Sequence, residues 1–542
     1  MKKGTLKYLL AAPILISTVL MSACGGRVKL GPADTDQLDV TVDTRGVTIT
    51  MWTGFGSDMT KQLEEVLEGF TKKTGIIVKH ESKSGYPNLL KAINLSSTSG
   101  SYPNIANGYP DHFASYVKSN ILLRLDGLIA NDHLRGETEG NYTQNGVKFD
   151  KDGIMMLNYN DFYKDYTVEN ETLEFKSDGT GYTLGLPFNK STEVMVYNAD
   201  LFDWAAANPD LVKTLLNDQN AVIKVPETWA EVRTVGENII KLVTPLFKVG
   251  ETKGKILGSD GKYYESSDAV TNAGAKVVMN MTDVLEKDFR PFTYDANANL
   301  FITLVRQFGG QYTEVDKTQT GKGYAVFNNA TTVEAMTMLQ GLMNDKIFAV
   351  PSYYEELYCS NAFKAYKSVM NVGSTAGLAN ITSTAIKTKC THIPYQDAEH
   401  KYVISQGTSL GLFNKGTEKE KVAAWKLMVY LTQQANGDFA ARTGYFPTCD
   451  YSYNSEDYQL YLDNDFKSDT DVLRQASAAV NAEQYVGGGW NKFVDPGFRG
   501  SADIREKVEN IPNYIIANEF GGDIQKILDE VCKSISSYIK PN

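Results

Sequence analysis

"GYTLGLPFNKSTEVMVYNADLF", Gly181–Phe202, reads as strand except at its middle, where Asn189, Lys190, Ser191, Thr192 and Glu193 follow one another. A buried strand cannot hold such a block unless each polar group has a partner, because a buried unpaired one costs ~1–3 kcal/mol. The alternative for the block taken alone is a surface β-bulge with polar side chains. The chain before it gives the setting. VTITMWTGF, Val47–Phe55, alternates Val47, Ile49 and Met51 with Thr48 and Thr50, which is strand periodicity. Ser57 then caps a helix whose apolar residues Met59, Leu63, Val66, Leu67 and Phe70 recur at helical spacing toward Gly75, and IIVKHES follows as strand. Strand, helix, strand in so short a space is a βαβ unit and implies a parallel sheet. The pattern repeats, with LLKAINLSSTSG helical, YPNIANGY a strand running into a loop, and DHFASYVKSN helical. Ligands of such sheets sit beyond the carboxyl ends of the strands, which groups Trp52, Tyr86 and the Tyr109–Asp111 loop around one cleft.

The first 24 residues, MKKGTLKYLLAAPILISTVLMSAC, have a basic start (Lys2, Lys3, Lys7), an apolar run from Leu9 to Met21 and small residues Ser22 and Ala23 before Cys24. This is a secretory signal, too short for a mature membrane span. Its end resembles a bacterial lipobox, which implies cleavage after residue 23, a lipid on Cys24 and attachment to the cell envelope. Residues 24–45 have few large apolar groups and no period, so they read as a flexible tether. No later apolar run approaches the ~18 residues of a span. The net charge is −11, and loss of Lys2, Lys3 and Lys7 with the signal brings it to −14. Such a surface disfavours nucleic acid as a partner. The length, 542 residues, calls for two or more lobes.

Catalytic and metal motifs are missing. The histidines, His80, His112, His133, His392 and His400, form no H-E-x-x-H, and no G-x-S-x-G occurs. FDKDGI around Asp150 and Asp152 lacks the first acid and late Glu of a calcium loop and reads as a turn. GGGW, Gly487–Trp490, has no Lys-Ser/Thr pair for a phosphate loop. Cys359, Cys390, Cys449 and Cys532 are far apart, which leaves one disulfide open and argues against zinc. No cofactor and no metal are expected. The rival to a binding protein is a secreted carbohydrate-active enzyme, since its paired carboxylates are recognised by geometry and not by spacing.

Seven stretches in order resemble the extracellular solute-binding proteins of ABC importers, in the class of the maltose- and glycerol-3-phosphate-binding proteins. They are VTITMWTGF, ILLRLDGLI, LGLPFNKSTEVMVYNADLF, VPETWAEV, AFKAYKSVMNVGSTAGLANI, ISQGTSLGLFNKG and ARTGYFPT. The resemblance implies the α/β, two-lobed periplasmic-binding-protein fold, each lobe a mostly parallel sheet flanked by helices, with the ligand cleft between. It makes the polar block the middle of a segment, Pro187 to Tyr197, that leaves one lobe and enters the other past the ligand. ISQGTSLGLFNKG and TGYFPTCDYS would be the second and third crossings, giving lobe one as 46–188 plus 408–447 and lobe two as 190–406 plus 449–542. The implied function is capture of a carbohydrate or polyol-phosphate by hinge closure, for delivery to ABC permease subunits, with no catalysis.

The closer resemblance, to the glycerol-3-phosphate branch, implies ligand contacts at Tyr86 in SGYPNLL, Ser191 in the first crossing, Ser374 in GSTAGLANI, Gly407 in SQGTS, Tyr445 in TGYFP and Arg505 in ADIR. Asp111 stands near the branch's acid but is shifted and shorter. Lys190 replaces a small residue, and either aids an anion or reaches solvent. Thr192 adds a hydroxyl to the crossing, and Trp52 is a pocket candidate by its place at the end of the first strand. Trp229 reads as packing, and Trp490 as a surface-loop residue or one over the cleft. Arg505 is either an exposed partner of Glu506 or Glu509, or a fork for a phosphate. The segments 205–224, 242–272 and 450–490 exceed the branch's usual length.

Overall fold

The Gly181–Phe202 segment changes sheets at one residue. The computed structural model describes residues 33–486 and 489–540, so the signal, Cys24 and the tether up to residue 32 lie outside the described residues. In chain order, the elements that frame the cleft are β1 (Thr48–Thr53), α1 (Ser57–Thr74), β2 (Ile77–Ser82), α2 (Tyr86–Ser96), β3 (Ile105–Gly108), α3 (Pro110–Lys118), β4 (Leu186–Ser191), β5 (Glu193–Asn198), β6 (Phe292–Tyr294), α4 (Asn297–Gln307), β7 (Phe348–Ala349), β8 (Met370–Ser374), β9 (Thr388–Thr391), β10 (Tyr402–Ile404), β11 (Gln406–Leu412), α5 (Asn436–Thr443), β12 (Asn491–Phe493) and α6 (Ser501–Val508).

The first lobe's sheet has the order β2-β1-β3-β11-β4, and the second lobe's has β7-β6-β8-β5-β9. In each, one strand runs against the other four, β11 in the first and β5 in the second. Those reversed strands are the ones fed by the crossings. β4 stays paired with β11 as far as Ser191 opposite Gln406, and β5 begins at Glu193 opposite Ser374. Thr192 alone separates the two sheets, a few residues beyond the expected change at 188–190. The second crossing turns at Ser405, between β10 and β11.

Alternation works as read in β1, where Ile49, Met51 and Thr53 are buried and Thr48, Thr50 and Trp52 are not. α1 turns Leu63, Val66, Leu67 and Phe70 inward and ends at Gly75, whose φ of 72° is the left-handed stop of a helix. Gly56 is its cap residue in place of Ser57. The second lobe has one continuous core, with Trp229, Phe292 and Phe348 in it, and the first has two clusters around Phe70 and Phe113.

Two expectations are corrected. Residues 33–45 are packed and not a loose tether: Val40 is 1% exposed in the first lobe's core, and Thr35 Oγ1 donates to Arg124 O at 2.7 Å while accepting from Leu128 N at 3.1 Å. Short polar side chains bonding to backbone fasten a segment that apolar content alone would leave free. The return to the second lobe also comes later than residue 449. Cys449 is buried in the first lobe's core, Ser452 Oγ donates to Gln433 O at 2.7 Å, and Tyr458 meets Phe446 edge-on at 6.5 Å. The third crossing is therefore the stretch 464–468, after which Leu473 enters the second lobe's core. Among the described residues no helix is long and apolar enough to cross a membrane.

Candidate functional site

Between the sheets lie two cavities, of about 740 and about 350 Å3, that share Tyr86, Tyr109, Tyr358, Gln406 and Gly407 and so form one cleft. The carboxyl ends of the parallel strands supply its floor. Gly407, at φ 96°, lies so close to the first crossing that a Cβ would meet Asn189 O at 1.9 Å. Only glycine lets these two crossings pair at that point.

The smaller cavity takes Ser191, Ser374 and Tyr445 from the expected set, with Glu193, Asp295, Asn299 and Asn371. Ser374 Oγ donates to Ser191 Oγ at 3.5 Å and accepts from Ala376 N at 3.3 Å, which holds the hydroxyl at the start of a 3-10 turn. Tyr86 and Tyr109 pack edge to face at 5.0 Å, and Asn189 Nδ2 donates to the Tyr86 hydroxyl at 3.4 Å. Burial raises the phenols of Tyr86, Tyr109 and Tyr445, so all three stay neutral hydrogen-bonding groups.

The larger cavity takes Asp111 and Arg505. Arg505 is half-buried and not a surface residue beside Glu506. Its Nη1 lies 3.3 Å from Asp495 Oδ2, and its Nη2 donates to Asn299 Oδ1. Asn299 Nδ2 donates in turn to Glu193 Oε1 at 2.7 Å, and the Tyr294 hydroxyl donates to Glu193 Oε2. A chain Asp495–Arg505–Asn299–Glu193 thus joins the two cavities. Burial pushes the Asp495 carboxyl up to about 6 against the pull of Arg505, and the Glu193 carboxyl up to about 7 against its bonds from Tyr294 and Asn299. Asp111 accepts from His112 N at 2.8 Å.

Three expected roles do not hold. Thr192 lines neither cavity, being 1% exposed with Oγ1 donating to Ile404 O at 2.9 Å, so its hydroxyl ties the first crossing to the second. Trp52 lines neither: the Lys83 ammonium sits 3.7 Å above its ring. Lys190 reaches neither solvent nor cleft. It is fully buried and donates to Glu169, which also accepts from Ser409 Oγ at 3.0 Å. Burial lowers the Lys190 ammonium and raises the Glu169 carboxyl, and each partner opposes the shift of the other. Trp229 is packing, 1% exposed with Nε1 donating to Gln307 Oε1 at 2.6 Å, and Trp490 stacks on His392 at 4.8 Å away from both cavities. Cys359, Cys390, Cys449 and Cys532 are free. Among the described residues no group of three or more His, Cys, Asp or Glu is placed to hold a metal.

Sequence reasoning missed Tyr312, Tyr358, Asn299 and Asp495, none of which stands in a local pattern; each reaches the cleft through long-range packing. Glu193 stands in the polar block but was given no place in the site.

A family model described as "bacterial extracellular solute-binding protein" matches residues 65–467. No curated protein matches the chain. An ABC substrate-binding protein from Listeria monocytogenes, solved with cycloalternan, aligns with a TM-score of 0.59 at 17% identity over 91% of this chain and 100% of its own. UgpB from Mycobacterium tuberculosis, solved with glycerophosphocholine, aligns at 0.59 and 16% over 91% and 98%. The cyclic alpha-maltosyl-1,6-maltose binding protein of Arthrobacter globiformis aligns at 0.58 and 13% over 90% and 98%. At these identities the likeness is one of fold.

Proposed function

The chain belongs to the bacterial extracellular solute-binding protein family, and on that basis we propose that it is the lipid-anchored binding component of an ABC importer, closing on a neutral oligosaccharide and releasing it unchanged to permease subunits. The charge of the cleft lining carries the ligand reading. Arg505 is the one Lys or Arg among the residues lining either cavity, and Asp495 already pairs with it. Asp111, Glu193 and Asp295 line the same space, as does Glu169, which Lys190 pairs. A phosphate monoester entering there meets a surplus of carboxylates, a repulsion that a half-buried site screens poorly. Sugar hydroxyls instead find acceptors in those carboxylates, donors in Ser191, Ser374, Asn371 and the phenols, and aromatic faces in Tyr86, Tyr109 and Tyr358. The Listeria relative, solved with cycloalternan, and the Arthrobacter cyclic alpha-maltosyl-1,6-maltose binding protein support this class. Glycerophosphocholine, bound by the Mycobacterium relative, carries a cation beside its phosphate and is the second candidate, because the acidic lining suits that cation. Three crossings at Thr192, Ser405 and 464–468 support closure of the lobes over a ligand by a hinge. The lipobox-like Met21–Cys24 supports anchoring through Cys24.

Calorimetry with linear and cyclic glucose oligosaccharides, glycerol 3-phosphate and glycerophosphocholine tests the reading. A neutral oligosaccharide should bind with little dependence on salt, and no glycan should be hydrolysed by pure protein. Arg505→Ala should cost that sugar about 0.5–1.5 kcal/mol, the value of an ordinary hydrogen bond, where a clamped phosphate would lose about 2–5 kcal/mol. Binding of glycerol 3-phosphate with no response to any neutral sugar would refute it.

A further inference from the structure

The strap between β12 and α6, residues 494–500, belongs to the second lobe. Phe498 is fully buried in that lobe's core, its N–H donates to Ser501 Oγ at 3.1 Å, and Arg499 N–H donates to Gly321 O at 2.9 Å. Val494, Asp495 and Pro496 line the larger cavity. At Gly497, though, the strap lies against the first lobe. A Cβ there would stand 2.7 Å from Leu173 Cδ2 and 2.7 Å from both the carbonyl carbon and oxygen of Pro110. Leu173 is buried in the first lobe's core, and Pro110 opens α3, the helix that carries Asp111. A leucine methyl can swing aside, but a backbone carbonyl at a helix start cannot.

The backbone at Gly497 is outside the left-handed region, in contrast to Gly500, at φ 94°. Local conformation therefore does not require glycine at 497, and the requirement comes from across the cleft. We propose that Gly497 sets how far the lobes close: its bare backbone is the seat on which Pro110 and Leu173 rest over the larger cavity, and a side chain there props the cleft open. The inference rests on the hinge-closing function proposed above. In the seated arrangement Asp495 and Arg505, on the strap and α6, face Asp111 and Tyr109, at the start of α3, across the larger cavity. A prop at Gly497 separates these two halves of the site while leaving each lobe's own core intact. Gly497 is in this sense a positioning residue that touches no ligand.

Gly497→Ala and Gly497→Val in the full chain test this, the alanine variant keeping the test alive should valine prevent folding. With maltotriose and cycloalternan as probes, Gly497→Val should weaken binding at least ~10-fold, about 1.4 kcal/mol, through faster dissociation at an unchanged association rate, and Gly497→Ala less. The ligand-free melting temperature should stay at the wild-type value, which loss of ordinary packing would lower. Small-angle scattering should show the wild type shrinking on binding and the valine variant shrinking less. If neither probe binds the wild type, the sugar reading fails and Gly497 is read from ligand-free protein: the variants must then show a larger radius of gyration or faster amide exchange in Pro110–Lys118. Affinity, radius and exchange all equal to wild type would overturn the proposal.

Discussion

Lys190 lies in the middle of the first crossing, shut off from solvent and held by Glu169 and Ser409. Removing one partner of such a pair strands the other charge in the interior, which typically costs ~3–5 kcal/mol. Lys190→Met should lower the unfolding free energy by that amount in urea titrations, and adding Glu169→Gln should recover most of the loss, since no buried charge remains. A loss below ~1 kcal/mol for the single variant would mean that Glu169 is uncharged in the folded protein. Glu193 gives a pH signature. Its folded pKa, about 7, is above the ordinary 4.5, so the folded state holds the proton more tightly than the unfolded chain. The stability it contributes is full below 4.5, is lost as pH rises toward about 7 and is flat above that. Glu193→Gln copies the protonated form. Its stability advantage over wild type should grow from near zero in acid to at most about 3 kcal/mol at pH 8, and a pH-independent difference would exclude this account.

At the scale of elements, the crossings decide what the molecule can do. β4 and β5 are one continuous run of chain split between two sheets at Thr192, and Thr192 Oγ1 reaches Ile404 O just before the second crossing turns. Thr375 N–H also donates to Thr192 O at 2.9 Å, so these bonds hold the switch residue to the second lobe. On the hinge reading proposed above, these two neighbouring segments bend together. Thr192→Val keeps the shape, removes the link and leaves a buried carbonyl short of a donor, at a cost of ~1–3 kcal/mol. Denaturant midpoints should fall accordingly at an unchanged slope. A stabilised variant would mean that the hydroxyl only competes with better packing.

At the scale of the whole molecule, two lobes on a hinge should respond to ligand as rigid bodies. A ligand present at 100 times its dissociation constant should add about 2.7 kcal/mol to folding stability and raise the melting temperature with its concentration. The proposed anchoring is tested apart from folding, since residues 33–45 are already packed on the first lobe. Cys24→Ala should leave melting and binding unchanged and move the protein out of the detergent phase. Full retention in detergent would rule out the lipid.

Local patterns carried the α/β reading, while chain length and the family resemblance carried the two lobes. The βαβ rhythm from Val47 to Ser82 and the polar block at Asn189–Glu193 are short-range signals, because strand and helix periods and the need to satisfy buried polar groups act within a few residues. The same is true of the glycine at 407 and of the hydroxyls at Ser191 and Ser374, which stand in stretches that resemble a known family. Tertiary structure alone decided the rest. Whether Lys190 faced solvent, an anion or Glu169 depended on a residue 21 positions away. Arg505 looked equally suited to Glu506 or a phosphate until packing set Asp495 and Asn299 beside it. Trp52 lost its place in the cleft to Lys83, and Thr192 lost its place to Ile404. The return at 464–468 was hidden because Cys449, Tyr451 and Tyr458 are apolar enough for either lobe, and only the shape of the first lobe's core selects it. Periodicity and composition fix what a segment can become, whereas charge pairing and cleft lining depend on which distant side chains arrive, and that is set by how the sheets pack.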